Sequence, residues 1–192
     1  RHGRLHAQHE SLAAALHMEV AYGCNAIKSQ SDHGNALLSR HSIVSFENQD
    51  ISDHRLEQRG LLHAVIKVNG REVHCFVVHL GLFAGGRVRQ IEVMAERIKR
   101  MVPDNAPMLI AGDFNDWGRR SGRQFALQLG MHEAFEQHTG QLARSFPSCL
   151  PVFHLDRIYL RGFSVKHTMV HAGPQFLKLS DHAVLSATLR KL

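Results

Sequence analysis

Only three cysteines occur in 192 residues, Cys24, Cys75 and Cys149, and no two of them form a CxxC pair. This excludes a disulfide framework and a zinc ribbon, and a reducing, cytoplasmic setting is the simpler expectation. Nor does any apolar run approach the roughly 18 residues that a bilayer-spanning helix needs. Residues 1–20 have no signal-peptide core. No repeat, low-complexity tract or linker divides the chain.

What is present reads as one globular domain over residues 1–192. A hydrophobic fraction of 44% and a charged fraction of 21% are ordinary for a packed core. The net charge of +6 favours an anionic partner only if the charge is clustered. The densest basic stretches, Arg87 to Arg100 and Arg119 to Arg123, are interleaved with apolar residues. They read first as solvated helix faces and second as contacts to a phosphate-bearing ligand. Sixteen histidines invite a metal reading at His74 and His79, or at His167 and His171. An i, i+5 pair on a strand points to opposite faces, however, and an i, i+4 pair in a β-branched stretch has no helical face. A histidine zinc site is therefore not expected.

Residues 5–17 read as a helix, followed by a turn-rich stretch from Gly23 to Gly34. Ala36 to Leu38 read as a short strand, and Ile43, Val44 and Phe46 begin another. Two β-rich runs, Leu61 to Val68 and Glu72 to His79, flank Asn69-Gly70, a strong hairpin signal. Residues 87–101 carry a helical apolar stripe that Pro103 ends. Met108 to Ala111 form a buried strand ending in Gly112-Asp113. A helix over 121–129 and strands at 155–160, 163–170 and 183–189 complete the order. The fold class expected is mixed α/β, with two packed sheets flanked by helices.

Four polar clusters lie at or within apolar strands: His79 after CFVV, Asp113 and Asn115 after MLIAG, Asp156 in FHLDRIYL, and Asp181-His182 ahead of AVLSATL. Strand ends bring side chains to one rim of a sheet, where clefts form. Carboxylates and an amide are hard oxygen ligands suited to Mg²⁺ or Mn²⁺, and histidines can move protons. Such a set suits metal-assisted attack of water on a phosphoester. Each piece also has a plain structural reading: Asp113 and Asn115 can cap a turn, and Asp156 beside Arg157 can be an ion pair.

The order of the pieces is more specific than any one of them. HL at 79, GDFN at 112–115, LDRI at 155–158 and SDH at 180–182, with GNALLSR at 34–40 and Arg59-Gly60, resemble the endonuclease/exonuclease/phosphatase superfamily over nearly the whole chain. The resemblance implies a four-layer α/β/β/α sandwich. It further implies that His182 orients or deprotonates the attacking water, that Asp156 holds His182 in its useful tautomer, and that Asp181 is a metal ligand. Asp113 and Asn115 would align the nucleophile and bind the scissile phosphate, His79 would stabilise phosphate or leaving-group charge, and Arg59 would approach the same phosphate.

One departure stands out. Members of the superfamily usually begin with a strand carrying an Asn and a second strand ending in Gln-Glu, whose Glu is the principal metal ligand. Residues 1–20 instead resemble the helix after that Glu, and neither Glu10 nor Glu19 is promoted to ligand. The expectation is an N-terminally incomplete domain with an exposed sheet edge that favours self-association. The substrate classes left open are nucleic acid and a phospholipid or inositol phosphate headgroup. Trp117 is read as filling the loop under the cleft, with stacking on a base as the alternative; Tyr22, Phe83 and Arg119 are the other substrate-facing candidates. A non-catalytic binding module that has lost its metal is the competing function, and a histidine-rich metal-binding protein the third.

Overall fold

A computed structural model describes residues 8–27, 32–54, 57–118, 120–176 and 179–191. Alternation of apolar and polar positions selects the strands, and helical stripes select the helices. In chain order they are α1 (Gln8–Leu16), β1 (Glu19–Ile27), β2 (Asp32–Ser39), β3 (Ile43–Asp50), β4 (Gly60–Val68), β5 (Arg71–His79), α2 (Ala84–Met101) and β6 (Met108–Asp113). They continue with α3 (Arg120–Gln128), β7 (His132–Glu133), α4 (Ala134–Thr139), β8 (Asp156–Arg161), β9 (Phe163–His171) and β10 (Val184–Lys191).

A mixed six-stranded sheet, β3-β4-β5-β6-β8-β7, is the centre of the molecule. Only β5 and β6 are parallel, joined through α2; the other neighbours are antiparallel. The β4–β5 turn is Asn69-Gly70, both at positive φ (50° and 79°), as a tight hairpin of matching twist requires.

One face of this sheet, through Leu61, Phe76, Val78, Met108, Ile110 and Tyr159, packs on Ile91, Met94 and Ile98 of α2 and Phe125 of α3. The opposite face presents Leu62, Ala64, Ile66, Val73, Cys75 and Leu160 to two antiparallel pairs, β1–β2 and β9–β10. Burying this apolar surface on both faces of the sheet is the main driving force for the fold. Helix α1 lies against β1 and β2, and α4 against β8 and β9. The expected mixed α/β class is what forms.

Several sequence readings change. The stretch from Gly23 expected as turns is strand β1 up to Ile27. Glycine is needed there because a Cβ at Gly23 would sit 2.4 Å from the Asn48 side chain, which donates to the Cys24 carbonyl at 3.2 Å. The first helix is described from Gln8, and residues 5–7 of the expected 5–17 span lie outside the described residues. The short elements β7 and α4 were not expected, because two and six residues are too few to display a period.

Three of the basic residues of α2, Arg87, Arg89 and Arg97, serve structural ends. Arg87 is buried and donates to the carbonyls of Gly81 and Leu82. Arg89 pairs with Asp53 at 2.6 Å, and Arg97 donates to the Asp50 carbonyl at 2.7 Å. Of the histidine pairs, His74 bonds His63 at 3.0 Å and His171 bonds Ser186 at 2.8 Å.

Candidate active site

Sheet register assembles the site. In the parallel pairing of β5 and β6, His79 lies opposite Asp113; in the antiparallel pairing of β6 and β8, Asp113 lies opposite Asp156. Three side chains from three strands thus stand in one row at one edge of the sheet. The backbone ladder continues past them, with the Leu80 amide donating to the Asp113 carbonyl (2.8 Å) and the Phe114 amide to the Leu155 carbonyl (2.9 Å). Gly112 permits this close approach. Its φ is 146°, and a Cβ there would lie 1.9 Å from the Val78 carbonyl oxygen.

After β6 the chain turns on itself. Asp113 Oδ1 accepts the Asn115 amide at 2.8 Å, and Asn115, at φ 46°, donates its side-chain Nδ2 to the Leu80 carbonyl at 3.0 Å. Asn115 is only 3% exposed, so this turn is rigidly held. The structural reading of Asp113 and Asn115 as a turn cap is therefore correct as far as it goes, yet both also line the cleft.

His182 arrives from a different part of the chain, in the loop before β10. The Ser180 hydroxyl accepts its amide at 3.0 Å, the Ala183 amide donates to the Ser145 carbonyl at 2.7 Å, and the Ser148 amide donates to the Asp181 carbonyl at 2.7 Å. With its backbone so fixed, His182 Nδ1 meets Asp156 Oδ2 at 2.7 Å, leaving Nε2 directed toward Asp113 Oδ2, 3.9 Å away. The other side of that Asp113 oxygen is His79 Nε2 at 3.6 Å. Phe146 packs beside the His182 ring, 5.0 Å between centroids. Of the two readings of Asp156, the plain ion pair with Arg157 is not what the side chains make: Asp156 pairs with His182, and Arg157, buried, donates to the backbone carbonyls of His154 and Asp156.

The electrostatics follow from this crowding. Burial raises the Asp113 carboxyl above its usual range, with the nearby Asp156 charge pushing the same way against the Asn115 amide and the two imidazoles. Burial pulls His182 down, but the hydrogen bond and charge of Asp156, aided by Asp113 and Asp181, outweigh it and leave His182 raised. His79 is lowered, chiefly by desolvation and then by the Arg59 charge, so its imidazole is predominantly neutral near pH 7.

Arg59 reaches the same cleft from the segment before β4, its Nη2 held by Glu57 at 2.9 Å. Asp181 is exposed at the rim. The cleft, of about 540 Å³, therefore gathers every expected site residue: Arg59, His79, Asp113, Asn115, Asp156, Asp181 and His182. Leu82, Phe146 and Leu155 also line it, and nothing in their sequence context signalled that. Trp117, read as loop filler, is instead half exposed on the cleft wall, edge-on to Phe153 (4.8 Å) and Phe146 (6.5 Å). Tyr22 stacks on His9 at 3.8 Å away from the cleft lining, Phe83 is exposed beside His54, and Arg119 lies outside the described residues.

A divalent ion of the Mg²⁺ type asks for hard oxygen donors. Asp181 and the Oδ atoms of Asp113 and Asp156 are hard oxygens of the right kind. Among the described residues, however, no three His, Cys, Asp or Glu side chains converge as a cage. Asp156 Oδ2 is committed to His182, and Asp113 Oδ1 to a backbone amide. The described residues thus offer part of an ion's shell and not the whole.

Comparison with known proteins shows what this chain is similar to. The profile of the Endonuclease/Exonuclease/phosphatase family matches residues 4–182. An uncharacterized protein of Escherichia coli K12, YbhP, is 38% identical over 185 residues, covering 95% of this chain and 73% of that protein. Among solved structures, an endonuclease/exonuclease/phosphatase from Bacteroides vulgatus superposes with a TM-score of 0.80 at 18% identity, covering 98% of this chain and 82% of its own. Zebrafish TDP2 complexed with a single-strand DNA product and a mannosyl-6-phosphatase from Bacteroides thetaiotaomicron each reach 0.75 at 19% identity, covering 95% of this chain and 81% of theirs. At such identities the structures share the fold.

Proposed function

Since this chain belongs to the endonuclease/exonuclease/phosphatase family, we propose that its cleft hydrolyses a phosphoester, most readily a phosphodiester, by His-assisted attack of water. The observation that carries this is the row His79, Asp113, Asp156 with His182 closing onto it at 2.7 Å. A structural histidine at a strand end has no need of a carboxylate on one ring nitrogen and an open cleft on the other.

In this reading Asp156 accepts a hydrogen bond from His182 Nδ1–H and so fixes the tautomer whose Nε2 is free to act as a base. Water attacks phosphorus and gives its proton to His182 Nε2; the bond from phosphorus to the leaving oxygen breaks, that oxygen takes up a proton from solvent, and His182 returns its proton to solvent. Asp113, midway between the two histidines, aligns the water. His79, as a neutral ring N–H donor, and Arg59, as a cation, stabilise phosphate and leaving-group charge. Asn115 holds the Asp113 turn at the scissile phosphate.

Mg²⁺ or Mn²⁺ belongs to the proposal, with Asp181 as its ligand directly or through water; bound there, the ion would neutralise developing phosphoryl charge. The incomplete shell among the described residues is what favours the competing reading, a binding module that keeps the fold without turnover. Turnover of a soluble diester in the presence of either ion, lost with His182→Ala, separates the two. A module without turnover gives no metal-dependent product from any phosphoester offered.

A further inference from the structure

Among the described residues Arg59 is the only arginine or lysine in the cleft lining, and it shares that lining with three carboxylates, Asp113, Asp156 and Asp181. A guanidinium among carboxylates is drawn to pair with one of them, and an arginine so paired is lost to a phosphate. Arg59 is not so paired. Its ion-pair partner among the described residues is Glu57, 2.9 Å from Nη2, and none of those three. Glu57 lies two residues back along the chain and outside the cleft lining.

The Glu57 carboxylate is itself held in place. Its Oε1 also accepts the Leu82 amide at 3.1 Å, and its Oε2 lies 3.9 Å from His54 Nε2. A Cβ on Gly81 would stand 2.4 Å from that Oε2, so glycine lets the carboxylate approach the chain there. The rest of segment 80–82 is pinned by Asn115, Gln90 and Arg87, which bond the Leu80 carbonyl, the Gly81 amide and the Gly81 carbonyl. Glu57 thus ties Arg59 to a rigid segment that begins one residue after His79. The Arg59 backbone is fixed separately, its amide on Ser52 Oγ at 2.9 Å and its carbonyl on the Ile51 amide at 3.0 Å. Its Nε is closed from solvent and without a partner, so the Glu57 contact is the one side-chain hydrogen bond of this guanidinium among the described residues.

A fourth carboxylate beside the cleft's cation weakens the field that an anionic ligand meets, so its use must lie in placement. We propose that Glu57 is the positioning residue of Arg59: it holds the guanidinium at Nη2, keeps it off Asp113, Asp156 and Asp181, and leaves Nη1 to a phosphoryl oxygen of the substrate. The proposal rests on the reading of Arg59 as the phosphate-binding cation of a hydrolase.

Field and placement predict opposite signs. Glu57→Gln removes a negative charge and keeps an acceptor for the Leu82 amide, so the field alone would tighten phosphate binding. Glu57→Asp keeps the charge and shortens the reach. Placement predicts that both weaken it. Inorganic phosphate titrated into the full chain, followed by emission of its single tryptophan, Trp117, on the cleft wall, reads this without turnover. Each variant is expected to bind phosphate about tenfold more weakly than the parent, the scale of one hydrogen bond to a charged group. Glu57→Gln/Arg59→Ala should be no weaker than Arg59→Ala alone, because Glu57 acts through Arg59. Circular dichroism confirms that the variants are folded. Four results each overturn the proposal: no phosphate binding by the parent, equal or tighter binding by Glu57→Gln, binding indifferent to Arg59→Ala, or losses that multiply in the double variant. Hydrolysis of a soluble diester in the same samples keeps the two readings apart. Turnover with phosphate binding untouched by Glu57→Gln sinks only the positioning role, and absence of turnover sinks the hydrolase while the phosphate titration still decides on Glu57.

Discussion

Asp156 and His182 lie 26 residues apart, on strand β8 and in the loop before β10, and their side chains meet at 2.7 Å. An Asp-His contact of this kind restricts the imidazole to one tautomer and one orientation. Substitution of either partner therefore has separable consequences. His182→Ala should lower kcat on a soluble diester by about 10²- to 10⁴-fold, the usual contribution of a general base. Asp156→Asn should cost less, and the double variant should be no worse than His182→Ala alone, because Asp156 acts through His182. Steady-state kinetics of the three variants check this, and additive losses would count against it.

The pH profile gives a second reading of the same pair. His182 accepts a proton only when neutral, and its raised pKa keeps it protonated to higher pH than an ordinary imidazole. Activity should therefore climb through an acid limb lying above the ordinary histidine value of 6.5. In Asp156→Asn the largest raising causes are gone while burial still pulls down, so the limb should move to lower pH even as the rate falls. An unmoved limb would assign the titration to another group.

Stability should respond to acid through a different pair. His63 Nε2 and His74 Nδ1 lie 3.0 Å apart, both rings largely buried on the central sheet. Burial lowers both, and the two imidazoles repel if both are charged. The unfolded chain takes up protons at the ordinary value of 6.5 and the folded chain only below it. Stability is thus fully present above that value and is lost as pH falls toward the lowered pKa values. The urea midpoint should drop between neutral pH and about pH 5, and His74→Gln should flatten the drop.

Gly112→Ala probes the row of site residues from the backbone. With φ at 146° and a Cβ 1.9 Å from the Val78 carbonyl oxygen, alanine must push β6 away from β5. A loss of about 2–4 kcal/mol is expected from backbone strain and the disturbed ladder. Activity should fall in the residual folded fraction as well, since Asp113 is the next residue. Thermal unfolding and kcat on folded protein measure the two effects separately.

Much of this site could be read from the sequence because strand ends advertise themselves. An apolar run ending in His79, another in Gly112-Asp113 and a third opened by Asp156 fix which residues reach one rim, and Asn69-Gly70 and the α2 stripe fix the elements between. Register was not legible, so nothing foretold that His79, Asp113 and Asp156 stand directly opposite one another. Strand β1 was hidden by Gly23 and Asn25, residues chosen for close packing against Asn48 rather than for strand propensity. Arg157 looked like a surface partner for Asp156 and is instead a buried donor to backbone. The packing of Trp117 against Phe146 and Phe153 on the cleft wall was not legible, because these residues become neighbours only when loops from different parts of the chain converge.

The most direct test of the central claim is hydrolysis of bis-p-nitrophenyl phosphate by the purified chain, with Mg²⁺ or Mn²⁺ supplied, with both chelated, and with His182→Ala under each condition. Turnover that needs the ion and falls with His182→Ala is the predicted result. Equal rates for the parent and His182→Ala, or no ion-dependent product from this or any other phosphoester offered, would contradict the account and leave the cleft as a site that binds without reacting.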